Sequence, residues 1–274
     1  MEIIFKRFFI VLTLITISST TFAQSFQKGQ FYFHWGWNAA EFTKSDIHFK
    51  GSDHDFTLHN VRSKDRQTAF DVTTYFNPLK ISIPQYNFKV GYFINDRYDV
   101  AFGSDHMKYV VIQDQTVKIS GHISGGKYAG DYDNQDIMIA EDFLKLEHTN
   151  GLNYVNFEIN RNDNLNIFKN ISNAKLAFNS IVGFGAGVLI PKTDATLLSK
   201  ERHDKFHLAG YGLSLKAGLN ITIFKRFFIQ SELKGGFINM PYIRTTHSKA
   251  DGAKQNFFFF QRNILFGGRF NLNR

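Results

Sequence analysis

The sequence predicts an all-β fold: an antiparallel up-and-down β-barrel that crosses a membrane with eight strands and carries long extracellular loops. A ring of ten strands is the alternative. Three observations lead there. Apolar and polar residues alternate over stretches of about 9–11 residues, long enough to cross a bilayer at a tilt. Beyond the N-terminal segment no run approaches the roughly 18 apolar residues of a membrane helix, the longest, Ile181 to Ile190, being broken by three glycines. The chain also holds 31 Phe and 11 Tyr, yet its mean hydropathy is −0.24. A wall with lipid on one side and a polar lumen on the other reconciles the two, because only alternate residues need be apolar.

Residues 1–23 read as a secretory signal peptide. Lys6 and Arg7 supply its charge, Phe8 to Ile17 an apolar run too short to cross a bilayer as a helix, and Ser18 to Ala23 a small-residue cleavage region. Cleavage after Ala23 leaves 24–274 as the barrel domain. Losing Lys6, Arg7 and Glu2 takes the net charge from +8 to +7. The lysines and arginines are scattered singly, which argues against nucleic acid and for attraction to anionic lipid head groups. With no cysteine, disulfides, thiolate metal sites, a cysteine nucleophile and a lipid-modified N-terminal cysteine are all excluded.

The first predicted strand sets Phe31, Phe33, Trp35 and Trp37 against Tyr32, His34, Gly36 and Asn38. The second, from about Leu79 to Ile94, sets Tyr86, Phe88, Val90 and Tyr92 against Asn87, Lys89 and Gly91, and Asn95-Asp96-Arg97 turns the chain. The third begins at Tyr98, with Val100 and Phe102 opposite Asp99, Ala101, Gly103 and Asp105, and fades after Ile112. The fourth covers about Phe143 to Arg161, with Val155, Phe157 and Ile159 opposite Asn156, Glu158 and Asn160. The fifth, about Lys175 to Ile190, carries a glycine face suited to a crowded lumen, Gly183, Gly185 and Gly187. The remaining three run over about Phe206–Ile221, Arg226–Asn239 and Asn256–Leu272. Long polar connections at about 43–79, 113–142, 191–205 and 241–255 alternate with shorter ones, as in a barrel with long loops outside and short turns on the periplasmic side. The first loop holds its own alternating pair, Ser45 to Lys50 and Asp55 to Val61, which either extends above the membrane or adds two strands. The connection 162–174 is long for a turn.

On this pattern, from signal peptide to final strand, the chain resembles the small outer-membrane β-barrel proteins of Gram-negative bacteria, eight-stranded surface barrels and lipid A-modifying barrels alike. The aromatic-rich end, Phe257-Phe258-Phe259-Phe260 to Phe270, resembles the terminal strand that barrel-insertion machinery reads, although the chain continues to Asn271-Leu272-Asn273-Arg274. The resemblance implies a monomer in the outer membrane, in contact with lipid and lipopolysaccharide, without cofactor or nucleic acid. It also brings in lipid A deacylases and palmitoyltransferases, which place a His-x-Ser-Asn pattern at the lipid-facing rim. Glu147-His148-Thr149-Asn150 comes nearest, but Asn150 stands where the nucleophile belongs and cannot attack, and Thr149 points to the opposite strand face unless Gly151 makes a bulge. A non-enzymatic protein is therefore expected, with an acyl hydrolase using these residues, or a narrow channel, as the alternatives.

The inward residues decide whether such a barrel conducts, since eight strands enclose a space that side chains can fill. Lys89, Lys216, Lys234 and Arg269 are expected to face Asp99, Asp105, Glu158 and Glu232 and neutralise one another as a plug. Trp35, Trp37, Tyr86, Tyr92, Tyr98 and Tyr211 are the candidate interfacial girdle. Ser104-Asp105-His106 contains triad residue types that cannot all meet as strand neighbours. Loop residues Asp131, Asp133, Asn134, Asp136 and Glu141 offer oxygen ligands without the glycine of the calcium-loop pattern, and His48, Asp53, His54 and His59 could gather a transition metal if the first loop folds as a hairpin. Solvated loop is the simpler reading of both, so no metal is expected.

Overall fold

A computed structural model describes residues 26–80, 83–165 and 176–271. The signal peptide and its cleavage site, most of the 162–174 connection and Leu272-Asn273-Arg274 fall outside them. The described chain forms fifteen strands. Eight make the wall: β1 (Gln30–Phe42), β5 (Tyr86–Phe93), β6 (Tyr98–Val111), β9 (Leu144–Asn164), β10 (Leu176–Leu189), β13 (Gly210–Ile223), β14 (Phe227–Arg244) and β15 (Gly252–Asn271). Each pairs antiparallel with the next, and β15 returns to β1 over thirteen residue pairs, so the ring closes without an edge.

Following paired residues once around the ring fixes the slant. From Phe258 the path runs through Phe237, Leu213, Ala186, Phe157, Phe102, Val90 and Phe33 and re-enters β15 at Gly268, ten residues further along the same strand. A shear of this size on eight strands tilts them by about 40°. Alternation then sorts the side chains. Phe33, Phe102, Phe157, Phe184, Leu215, Leu233, Ile264 and Phe266 stand outside, exposed, whereas Lys89, Asn156, Glu158, Lys216, Glu232 and Lys234 are buried inside. Gly183 leaves room for that filling, since a Cβ there would lie 2.1 Å from the Asn160 side chain and 3.1 Å from that of Lys216.

The other strands correct the expectation of plain loops at the long-loop end. Of the first predicted loop, β2 (Ser45–Lys50), β3 (His54–Val61) and β4 (Ser63–Asp65) are strands, and of the second, β7 (Thr116–Ile123) and β8 (Gly130–Met138). Order β15-β2-β3-β7-β8 continues the wall as an upright sheet, with β8 last among the described strands, while β4 lies on β6. The alternating pair in the first loop thus rises above the ring and adds nothing to its count. In the third loop β11 (Lys192–Leu197) pairs with β9 and with β12 (His203–Phe206). Of the predicted sixth wall strand this takes only Phe206, which ends β12, and the wall strand itself starts at Gly210. The predicted second strand is shortened too. Of the described residues there, 79, 80 and 83–85 are not strand, because Pro78 and Pro84 cannot donate to a ladder, and a helical turn, Val72–Tyr75, and the 3-10 turn Pro78–Lys80 stand before β5.

At the opposite end the chain turns tightly. Asn95 caps the β5–β6 turn by accepting from Arg97 N at 2.9 Å and Tyr98 N at 2.8 Å. Phe224, Lys225 and Arg226 join β13 to β14, the first two with φ of 52° and 61°, a left-handed backbone that their side chains disfavour. Lys225→Gly is therefore expected to raise stability by about 1 kcal/mol, read as a higher urea midpoint for unfolding from detergent micelles, with Lys205→Gly as the control that gains nothing.

Candidate functional site

Three layers of side chains fill the lumen. Nearest the tight turns, Phe26 stacks on Phe93 with ring centroids 5.0 Å apart, and the Arg269 guanidinium lies over Phe26 at 4.3 Å and Phe228 at 5.0 Å. Tyr32 and Phe228 complete this aromatic floor, where Arg269 also donates to Asn220 Oδ1 at 3.3 Å. Just above, Asp99 accepts from Tyr32 Oη at 2.7 Å, Asn160 at 2.8 Å and Asn162 at 2.6 Å. The void between floor and middle layer, lined by Tyr32, Asp99, Lys216 and Arg269 among others, has room for about one water.

The middle layer is ionic. Glu158 touches three lysines: Lys216 at 2.7 Å, Lys234 at 2.7 Å and Lys89 at 3.3 Å. Lys216 reaches on to Glu232 at 3.3 Å, Lys89 to Asp105 at 3.4 Å, and Lys234 also pairs with Asp105. Three ammonium and three carboxylate groups, all buried, thus sum to zero. Of the eight charged residues expected in the lumen, these six meet in one network. Asp99 and Arg269 occupy the layers beneath, held by amides and a phenol in one case and by aromatic faces in the other.

The upper layer is apolar, and the sequence reading missed it. Tyr109 stacks on Phe257 at 5.0 Å, Tyr154 stands edge-on to Phe259 at 6.1 Å, and Leu189, Ile238 and Met240 are buried with them. Lys234 lies 5.5 Å from the Tyr154 ring and joins the two layers. The same apolar core continues into a cap, where Ile47, Phe49, Phe56, Leu58, Val117, Ile119 and Phe143 pack beneath the upright sheet. Lys200 ties three turns of the cap by reaching Asp53 at 2.6 Å and Asp251 at 3.3 Å, and it holds the Asp53 carboxyl below the usual carboxylate range.

His148 points into this cap. It is fully buried beside Tyr109, ring centroids 5.7 Å apart, and neither ring nitrogen has a hydrogen-bond partner among the described residues. Thr149 instead donates to Glu147 at 3.2 Å, Glu147 pairs with Arg66 at 3.2 Å, and Asn150 is exposed. Gly151, at φ 117°, sits in a bulge that places 149–151 opposite the single residue Lys108. His148, Thr149 and Asn150 are therefore not assembled at a lipid-facing rim. Ser104-Asp105-His106 disperses likewise: Asp105 joins the ionic layer, and His106 bonds Asn153 at 2.9 Å and stacks on Tyr86 at 4.8 Å.

The candidate metal ligands do not converge either. Asp131, Asp133 and Asp136 lie along β8, where Asp131 pairs with His122 at 2.6 Å and Asp136 with Lys118 at 3.0 Å. The first loop does fold as a hairpin, but it uses its histidines singly, His48 on Asp55, His54 on Asp53 and His59 on Asp46. Among the described residues no three such ligands form a cage. The six girdle aromatics face outward: Tyr92 and Tyr98 at the turn end, Tyr211 at the loop end, Tyr86 beneath it, and Trp35 and Trp37 in contact 5.3 Å apart at mid-wall.

Two expectations follow. Removing Glu158 leaves three buried lysines facing two carboxylates, so Glu158→Ala is expected to cost about 3–5 kcal/mol in urea unfolding, where Glu41→Ala, on the outer surface, costs less than about 1 kcal/mol. In the cap, burial and the nearby Arg244 push His203 below its ordinary pKa, and burial with His203 does the same to His207. The closed cap excludes protons that an opened cap binds, so its stability is full above about pH 6.5 and falls below it. Amide protection of residues 192–206, corrected for intrinsic exchange, should drop between about pH 7.5 and pH 5.5, and His203→Gln with His207→Gln should flatten that drop.

No protein family matches the sequence, and no curated protein matches it. Among solved structures the fold is similar to the outer membrane protein OprG from Pseudomonas aeruginosa, at 9% identity over 90% of this chain and 98% of that one, with a TM-score of 0.40. It is also similar to Ail, the attachment invasion locus protein of Yersinia pestis, at 11% identity over 89% and 99%, with a TM-score of 0.32, and to Neisserial surface protein A, at 10% identity over 85% and 98%, with a TM-score of 0.30.

Proposed function

We propose that this chain is a monomeric integral protein of a Gram-negative outer membrane, exported by a signal peptide cleaved after Ala23 and inserted by the barrel-insertion machinery. Its wall anchors it in lipid and lipopolysaccharide, and its capped end meets the surroundings of the cell. The role is surface interaction, carried out without transport or catalysis. The observation that carries this reading is the stack of aromatic floor, neutral ionic layer and apolar upper layer, which among the described residues fills the lumen with buried side chains. The cap supports it as well: it holds an apolar core of its own, so it is a built surface presented above the ring. The burial of His148 inside that core speaks against an acyl hydrolase, because a base must reach the proton it takes. The test is conductance. Refolded protein in planar bilayers is expected to give no stable single-channel steps. Regular steps in the unmodified protein would overturn the closed-lumen reading, and fatty acid released from lipopolysaccharide by the wild type but not by His148→Ala would overturn the non-enzymatic one.

A further inference from the structure

Between β4 and β5 the chain leaves the cap and turns back along the outside of the wall. Residues 70–83 include Phe70, Val72, Phe76, Leu79 and Ile83 with exposed side chains, Leu79 at 93%. So many bare apolar groups on one short segment mark a surface that is covered in use.

The segment's position says by what. Tyr75 and Phe76 pack their rings on Trp37, each at 5.4 Å between centroids. Trp37 belongs to the outward face of the wall, beside Trp35 and 5.6 Å from Phe266. Two outward positions further up β1 stands Glu41, ion-paired at 2.8 Å with Arg262, whose long side chain climbs from lower on the wall to meet it. Four residues of a strand tilted by about 40° rise about 10 Å. The helical turn Val72–Tyr75 therefore lies against the apolar belt, below the level of the Glu41–Arg262 pair.

Its backbone is built for such a place, since groups out of water need internal partners. Thr74 N and Tyr75 N donate to Asp71 O, Phe76 N to Val72 O and Lys80 N to Asn77 O, all within 3.1 Å, and Leu79 N donates to the Asn77 side chain at 2.9 Å. Pro78 has no N–H to satisfy. The stem is pinned from the wall by Lys108 Nζ, which donates to Ile83 O at 2.9 Å and Thr68 Oγ1 at 3.4 Å.

We propose that Phe70–Lys80 dips into the outer leaflet and that lipid acyl chains cover Phe70, Val72, Phe76 and Leu79, with Asp71 and Lys80 at head-group level. The inference rests on the reading of the wall as membrane-spanning, and the two can fail separately. Because the native sequence has no cysteine, a single introduced thiol is labelled uniquely. Leu79→Cys, Phe157→Cys on the wall and Asp133→Cys on β8 would each carry an environment-sensitive fluorophore and be reconstituted in phosphatidylcholine vesicles containing doxyl-labelled acyl chains. The Leu79→Cys probe is expected to emit to the blue and lose fluorescence to the doxyl lipid about as strongly as the Phe157→Cys probe, while the Asp133→Cys probe stays unquenched. Quenching at Phe157→Cys with Leu79→Cys behaving like Asp133→Cys overturns the dipping segment and leaves the barrel standing. Absence of quenching at Phe157→Cys overturns both.

Discussion

Everything in this molecule descends from the need to satisfy backbone hydrogen bonds where there is no water. Pairing β1 with β15 over Gln30–Phe42 closes the ring and removes the two edges that an open sheet would expose to lipid. Closure in turn fixes the alternation. Once Phe33, Phe102 and Phe157 face outward, Lys89, Glu158 and Lys216 have no choice but the interior, where an unmatched charge is costly. The equality of three lysines and three carboxylates is thus a condition of the wall's existence, imposed by the same period of two that makes its outside apolar.

The polar interior also explains why the barrel ends as it does. Above Tyr154 the inward side chains of β9, β14 and β15 change character, from Asn156, Lys234 and Gln261 to Leu152, Ile238 and Phe259. In this upper part an apolar inside no longer needs an apolar outside. The wall strands can run past the membrane and become an ordinary half-buried sheet, with β2, β3 and β7 supplying the opposite side of a water-soluble type of core.

The ring was legible from the chain because its signal is local. Alternation at Phe31 to Asn38, Tyr86 to Ile94 and Val155 to Asn160 assigns both the strand and its faces, and the inward charges can be named from that alone. What escaped was non-local. Val117 and Ile119 alternate as clearly as any wall pair, but with polar neighbours and too short a reach to cross a bilayer they read as loop, and their burial appears only once β7 is seen against β3. His148 was misplaced for a related reason. Strand parity gave it the same facing as Asn150, but the bulge around Gly151 resets the parity within three residues and turns the ring into the cap. The stretch before β5 failed through its prolines, which stop a ladder that the neighbouring apolar residues would otherwise extend.

One element of the cap stands apart in its exposure to neighbours. Among the described residues β8 has a partner on one side only, so a row of its amide and carbonyl groups is open to any extended chain that comes alongside. Proteins embedded in a sheet of lipid meet one another flank to flank far more often than solutes do. Asp131, Asp133 and Asp136 set charged side chains along these nine residues, two of them facing His122 and Lys118 of β7, and charge on an edge strand discourages a further strand from adding to it.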